Sequence, residues 1–227
     1  MWYKLTGMYI GNQKLRPSGW KPWPNTLLYL PLNSTDTYTD KSWNSVVTTN
    51  NGTTFWTNYW VDCGYFNSSN IQVAPFTVPS AWTILCWCYN IWTVWWDGHI
   101  IDIGSSTRRL LTSYDEWWPW YWALSDWDLI RTTWLTYQNQ WILYAFTFEN
   151  RSQNLIIKWN SIDDSIPTTY SFSSFSPTSM NVGNEWNNWA TRYFLWWMSN
   201  LIFEDKARTA TEINDYFNLT KWNYWIS

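Results

Sequence analysis

The sequence predicts an all-β protein: an antiparallel jelly-roll sandwich with one short C-terminal helix and an N-terminal arm. Three observations carry this. Short apolar or alternating runs recur along most of the chain, with turn-forming residues between them. Helix-forming runs are scarce, while Ser, Thr and Asn are plentiful. A helix start signal stands out at one place, near the C-terminus.

Residues 1–26 read as a separate arm and linker. Within "KLTGMYIGNQKLRPSG", the run Met8–Ile10, a Gly-Asn turn and a second short run suggest a small hairpin, followed by the Pro-rich "SGWKPWPN". The sandwich is expected over 27–220, with a tail at 221–227. "TLLYLPL" is a short apolar strand, and "NSTDTYTDKSWNS" is a polar loop. "YWVDCGYFN" and "NIQVAPF" alternate as half-buried strands do. "WTILCWCYNI" places Ile84, Cys86 and Cys88 on one face and Leu85, Trp87 and Tyr89 on the other. Both faces are apolar, which marks a central strand.

"GHIIDIG", "RRLLTSY", "YWALSD" and "DLIRTT" follow as further strands. "WILYAFTFE" and "NLIIKWN", around the polar turn "NRSQ", form the best hairpin in the chain. "MSNLIFED" closes the β region after "SMNVGNE". Thr209 and Glu212 then form a Thr-x-x-Glu capping box, and Ile213, Tyr216 and Phe217 give the helix its apolar face.

The 227 residues suit a single all-β domain with a substantial core. A net charge of −3, from 14 Lys+Arg against 17 Asp+Glu, argues against nucleic-acid partners and anionic membrane surfaces, which need clustered basic residues. The N-terminus lacks a continuous apolar run of signal-peptide length, and no stretch is long and apolar enough for a transmembrane span, so neither is expected. Cys86 and Cys88 share a strand face and poorly suit a mutual disulfide. With Cys63 they read as buried thiols. Asn-x-Ser/Thr sequons begin at Asn33, Asn51, Asn67, Asn150 and Asn218, as chance supplies in a chain of this composition.

Twenty-five Trp beside eight Gly inverts the usual proportions. An all-β chain should exceed the average glycine usage of about 7%, because tight turns need positive φ. Many Trp fall where turn chemistry favours glycine. Trp159–Asn160 reads as a two-residue hairpin turn, Trp23 lies between two prolines, and Trp196–Trp197 precede the closing strand. Trp95–Trp96 and the cluster "DEWWPWYW" repeat the pattern. The expectation is that many of these are glycines in the living source, because some bacteria and their phages read the UGA codon as glycine. The alternative is a truly Trp-rich protein with aromatic ligand platforms. Trp87 and Trp141 sit inside strand patterns where an aromatic belongs.

From Leu27 to Asn218 the order of elements resembles the concanavalin A-like lectin/glucanase superfamily, nearest its laminin G-like and pentraxin-like branch. The likeness rests on the opening "LLYLPLNSTDTYTDKSWNS", on "WTILCWCYNI" with Trp87 at the family's aromatic position, on "NQWILYAFTFENRSQNLIIKWNSI", and on "FLWWMSNLIFEDKARTATEINDYFN". The arm's "MYIGNQKLRPSG" resembles short leader segments on virion structural proteins of phages. The resemblance implies a concanavalin A-like jelly roll whose function ranges from binding module to enzyme to structural piece.

Enzymes of this superfamily carry Glu-x-Asp-x-(x)-Glu on one strand, aiming two carboxylates into the groove. That spacing is absent. Asp115 and Glu116 are adjacent, Asp126 and Asp128 read as a solvated turn, and Glu185 is alone in a Gly/Asn loop. His99, the sole histidine, has no Ser–acid constellation near it and reads as a buried or strand-edge residue. Zinc and phosphate-loop motifs are missing too. Calcium is the cofactor the resemblance implies, with Asp36, Asp40, Asp97 and Asp102 as candidate oxygen ligands against a reading as ordinary loop carboxylates.

The leading expectation is a non-enzymatic lectin-like module on a phage particle surface or tail. It would bind glycan or host-surface polysaccharide through Tyr114, Tyr121 and Trp122 in mid-chain loops. The arm would contact other virion proteins. A purely structural decoration domain is the alternative, and a glycan-cleaving hydrolase ranks third. A homo-oligomer such as a trimer is natural for fibre or decoration proteins, though the sequence carries no sign of one.

Overall fold

The computed structural model describes residues 9–10, 13–14, 23–58, 61–90, 98–104, 109–115, 120–125, 128–131, 140–149, 152–159, 162–169, 174–184 and 196–224. Its strands are β1 (Tyr9–Ile10), β2 (Gln13–Lys14), β3 (Thr26–Leu30), β4 (Thr48–Asn51), β5 (Thr54–Asn58), β6 (Val61–Phe66), β7 (Asn70–Val73), β8 (Trp82–Asn90) and β9 (Gly98–Gly104). They continue as β10 (Arg109–Asp115), β11 (Trp120–Ser125), β12 (Asp128–Arg131), β13 (Gln140–Glu149), β14 (Ser152–Trp159), β15 (Ile162–Thr169), β16 (Ser179–Val182) and β17 (Trp196–Glu204). Helix α1 (Ala210–Thr220) and a 3₁₀ turn (Lys221–Tyr224) follow.

The strands form an antiparallel jelly-roll sandwich. One sheet runs β12-β11-β10-β9-β16-β7-β4. The other runs β15-β14-β13-β8-β17-β6-β5, with β3 pairing β17 beside that path. β1 and β2 make their own two-stranded hairpin across Gly11–Asn12, with Ile10 opposite Gln13.

Strand β8 shows why two faces of one sheet carry two cores. Ile84, Cys86 and Cys88 point between the sheets, among Leu28, Phe66, Trp82, Ile101, Ile103, Phe146 and Phe203. Leu85, Trp87 and Tyr89 point the other way and are covered by Ile213, Tyr216, Phe217 and Tyr224. Helix α1 therefore closes the outer face of the larger sheet, leaving β8 buried on both sides. The capping box starts the helix: the Glu212 amide donates to the Thr209 hydroxyl at 3.2 Å, and the Thr209 amide to Glu212 Oε2 at 2.9 Å.

The three cysteines are free and buried. Cys86 and Cys88 lie on one face with their sulfurs 3.7 Å apart. Burial, then the neighbouring Cys86, pushes the Cys88 thiol well above its ordinary value. His99 is fully buried in β9, an interior strand of its sheet.

Several sequence expectations are corrected. Trp159 is the last residue of β14, paired with Ile162, so the hairpin loop begins one residue later. Trp196 and Trp197 are not turn residues: they open β17 opposite Phe66 and Tyr65. Tyr114, Tyr121 and Trp122 lie in strands rather than loops. β4 and β5 form from Thr/Asn-rich sequence too polar to signal a strand. β15 carries Pro167, tolerated because β15 is an edge strand. The pairs Trp95–Trp96 and Trp117–Trp118 lie outside the described residues, as do Asp97, Glu116, Asp126 and Glu185.

Candidate functional site

The loop after β3 was the first candidate calcium site. Asp40 is buried, and its carboxylate is taken up by protein donors. Oδ1 accepts from the Tyr29 and Ser42 amides at 2.8 and 2.9 Å, while Oδ2 accepts from the Ser42 hydroxyl and the Val46 amide at 2.7 Å each. This carboxylate folds the loop onto itself without an ion. Asp36 is paired instead with Lys41 Nζ at 2.9 Å and receives the Asn33 side chain at 3.4 Å. Asp102 is fully buried in β9, in another sheet from β3. Among the described residues no three His, Cys, Asp or Glu side chains converge to hold a metal ion. Among the candidate calcium ligands, Asp36, Asp40 and Asp102 are thus engaged or placed separately, and Asp97 lies outside the described residues.

The register of β9–β12 places the candidate aromatic residues. Tyr114 is opposite Tyr121, and Ser113 is opposite Trp122, which in turn is opposite Arg131. A bulge opposite Thr112 lets Ile100 and Ile101 both reach the core.

A different aromatic array lies on the outer face of the larger sheet. Tyr65, Trp197, Tyr89 and Trp141 occupy one register row across β6, β17, β8 and β13. Successive ring centroids are 5.3, 5.5 and 5.6 Å apart. Trp141 continues to Tyr224 at 5.1 Å, and Tyr224 stacks on Trp87 at 4.1 Å. At the opposite end Trp56, on edge strand β5, stacks on Tyr65 at 5.0 Å and 29°. The row emerges from beneath α1. Trp141 is 3% exposed, Tyr89 5%, and Trp56 49%. The inner pairs meet tilted or edge-on, whereas Tyr65 stacks on one face of Trp56, and this half-exposed ring presents the rest of its surface to solvent.

The "DKAR" turn that carried the family resemblance is a scaffold. Arg208 grips buried Glu204 in a two-toothed fork, Nε to Oε2 at 2.6 Å and Nη2 to Oε1 at 3.0 Å. Its Nη1 reaches Glu212 at 3.0 Å, and its guanidinium lies 4.1 Å from the Trp23 ring centre. Burial pushes the Glu204 carboxyl above its ordinary value, and Arg208 offsets only part of that.

No family model matches the chain, and no curated protein matches it. Solved structures do. Domain 4 of AbnA, a GH43 extracellular arabinanase from Geobacillus stearothermophilus in complex with arabinotriose, aligns with TM-score 0.63 and 14% identity over 84% of this chain and 97% of that one. The botulinum neurotoxin serotype D/C binding domain aligns with TM-score 0.65 and 15% identity over 86% of this chain and 52% of that one. The type C toxin, whose cell entry depends on interaction with two ganglioside molecules, gives TM-score 0.64 at 13% identity over 86% of this chain and 51% of that one. This chain thus spans about half the length of the toxin domains. At these identities the likeness is one of fold.

Proposed function

We propose that this protein is a non-enzymatic, lectin-like module that binds glycan. The observation that carries the reading is the aromatic row ending in the half-exposed Trp56, which stacks on Tyr65, itself packed against Trp197. An aromatic face offers the C–H side of a sugar ring an apolar surface that neither hydration nor a charged partner supplies. Support comes from sandwiches of the same fold whose known ligands are an arabino-oligosaccharide and gangliosides.

In this reading the module is displayed on a phage particle, and the β1–β2 hairpin within residues 1–26 anchors it to other virion proteins. The supporting features are the arm's likeness to virion leader segments and its pairing as a sheet of its own. In this reading the Asp40 loop is held by protein donors rather than by calcium.

A glycan array probed with the full chain, with and without a chelator, tests the reading. Retention of at least one glycan class, unchanged by chelator, is expected. An array with no signal, beside ordered arm contacts in an assembled particle, overturns it in favour of a decoration domain. Release of reducing ends from arabinan or β-glucan would make the protein a hydrolase.

A further inference from the structure

Strands β4 and β5 are consecutive in sequence yet belong to different sheets. The chain crosses between them at Gly52, whose φ of +94° is a left-handed conformation that favours glycine. β4 is the last strand of one sheet and β5 the last of the other. One segment, residues 48–58, therefore builds the edge of both sheets on this side of the sandwich. Its exposed side chains are those of Thr49, Asn51, Thr54, Trp56 and Thr57, and Gly52 is exposed between them. Hydroxyls, amides and one aromatic ring line the strip.

The strip also lacks charge. From Ser42 to Trp96 the sequence contains a single Asp, Glu, Lys, Arg or His, which is Asp62. That carboxylate accepts from the Ser34 amide and hydroxyl, both at 2.8 Å. The nearest lysine in sequence, Lys41, is paired with Asp36. A sialylated, sulfated or uronic-acid glycan binds most strongly where Arg or Lys can meet its charge, and this edge offers none of its own. A neutral glycan needs ring stacking and neutral hydrogen-bonding groups, both of which are present.

We infer that the ligand is a neutral oligosaccharide, bound along the 48–58 edge with one sugar ring stacked on Trp56. This rests on the glycan-binding reading and narrows it to one site and one charge class. Trp56 acts by contact with the sugar. Tyr65, backed by Trp197, supports its indole, and the neighbouring Thr and Asn side chains exchange hydrogen bonds with sugar hydroxyls.

Titration calorimetry of the full chain tests this with two sets of probes: arabinotriose, cellotetraose and chitotriose as neutral sugars, and 3′-sialyllactose and tetragalacturonate as anionic ones. Binding of at least one neutral probe and neither anionic one is expected. Trp56→Ala should weaken it about tenfold, with Trp56→Phe recovering part of the loss. Unchanged far-UV circular dichroism shows that the variant still folds. Preference for an anionic probe, or neutral binding that survives Trp56→Ala, overturns the site while leaving a glycan-binding protein. Loss of self-association in Trp56→Ala without effect on sugar makes the edge a contact with a second copy, and overturns the inference. Failure of every probe, on a chain also silent on the glycan array, removes the underlying reading and the inference together.

Discussion

Asn200 donates its side-chain amide to the Tyr224 hydroxyl at 2.5 Å, joining the bulge of β17 to the 3₁₀ turn that ends the described chain. The register of β17 against β8 jumps from Ser199–Trp87 to Ile202–Leu85, and Asn200 sits in that bulge at φ +53°. Its carbonyl oxygen accepts from the Tyr29 hydroxyl at 2.9 Å, and Tyr224 donates onward to Ser199 at 3.2 Å. One side chain therefore ties three segments together at a backbone geometry that Asn tolerates better than most residues.

Asn200→Val should remove the polar ties and impose a β-branched residue on a left-handed backbone. A loss of about 3 kcal/mol is expected. Asn200→Gly, which keeps the backbone relaxed, should lose about half of that. Urea denaturation of both variants separates the two contributions, and equal losses would mean that backbone strain contributes nothing.

Trp87 is fully buried between Phe217 and Tyr224, and its indole N–H donates to Thr220 at 3.2 Å. It is the main contact between β8 and the helix. Trp87→Ala should cost about 3–5 kcal/mol, and amide exchange along α1 should accelerate. Protection of α1 unchanged from the parent protein would show that the helix is held elsewhere.

Asp40→Ala strands the Tyr29, Ser42 and Val46 donors, and should lower stability by about 3 kcal/mol. A chelator should leave the thermal midpoint of the parent protein unchanged. A midpoint that falls with chelator and recovers on adding calcium would return Asp40 to the role of a metal ligand.

How much of this was legible follows from where the signals lie. β8 could be read because both of its faces are apolar, and the helix because Thr209 and Glu212 form a local cap. β4 and β5 were hidden because edge strands expose alternate residues, and Thr/Asn there resembles loop sequence. Phe55–Trp56 flanked by Thr was the available signal, as β-branched and aromatic residues favour strands. The row Tyr65–Trp197–Tyr89–Trp141 was illegible in principle, since strand order and register join residues far apart in sequence. Trp159 and Trp196 were placed in turns because an excess of Trp was read as missing glycine, whereas both lie at strand ends. Tyr114, Tyr121 and Trp122 were read as loop residues because the Trp-rich segment around Pro119 hid the strands β10 and β11.

Glu212 governs the acid limb of stability. Partial burial pulls its carboxyl upward, but hydrogen bonds from Lys206, the Thr209 amide and Arg208 outweigh that and hold it at about 2. An acid whose folded value lies below its unfolded value binds more protons unfolded. Its contribution is therefore present above about 4.3 and is lost as pH falls toward 2. Glu204 has the opposite sign: burial raises its folded value, so its contribution is lost as pH rises through the window just above its ordinary value. Thermal midpoints between pH 5 and 2 should fall less steeply in Glu212→Gln than in the parent. Equal slopes would mean that other carboxylates dominate.

The identity of residue 197 decides whether the aromatic row exists in the living protein. A glycine read as Trp should betray itself where the backbone needs positive φ. Among the described residues the non-glycine positions with positive φ are Leu32, Thr37, Ser45, Ser68 and Asn200, and no Trp is among them. Trp197 instead fills the space between Tyr65 and Tyr89. Mass spectrometry of the tryptic peptide Tyr193–Lys206 from the native source should therefore read Trp at 197. Glycine at that position would open a gap between Tyr65 and Tyr89, break the row beside Trp56, and restore a source that reads UGA as glycine.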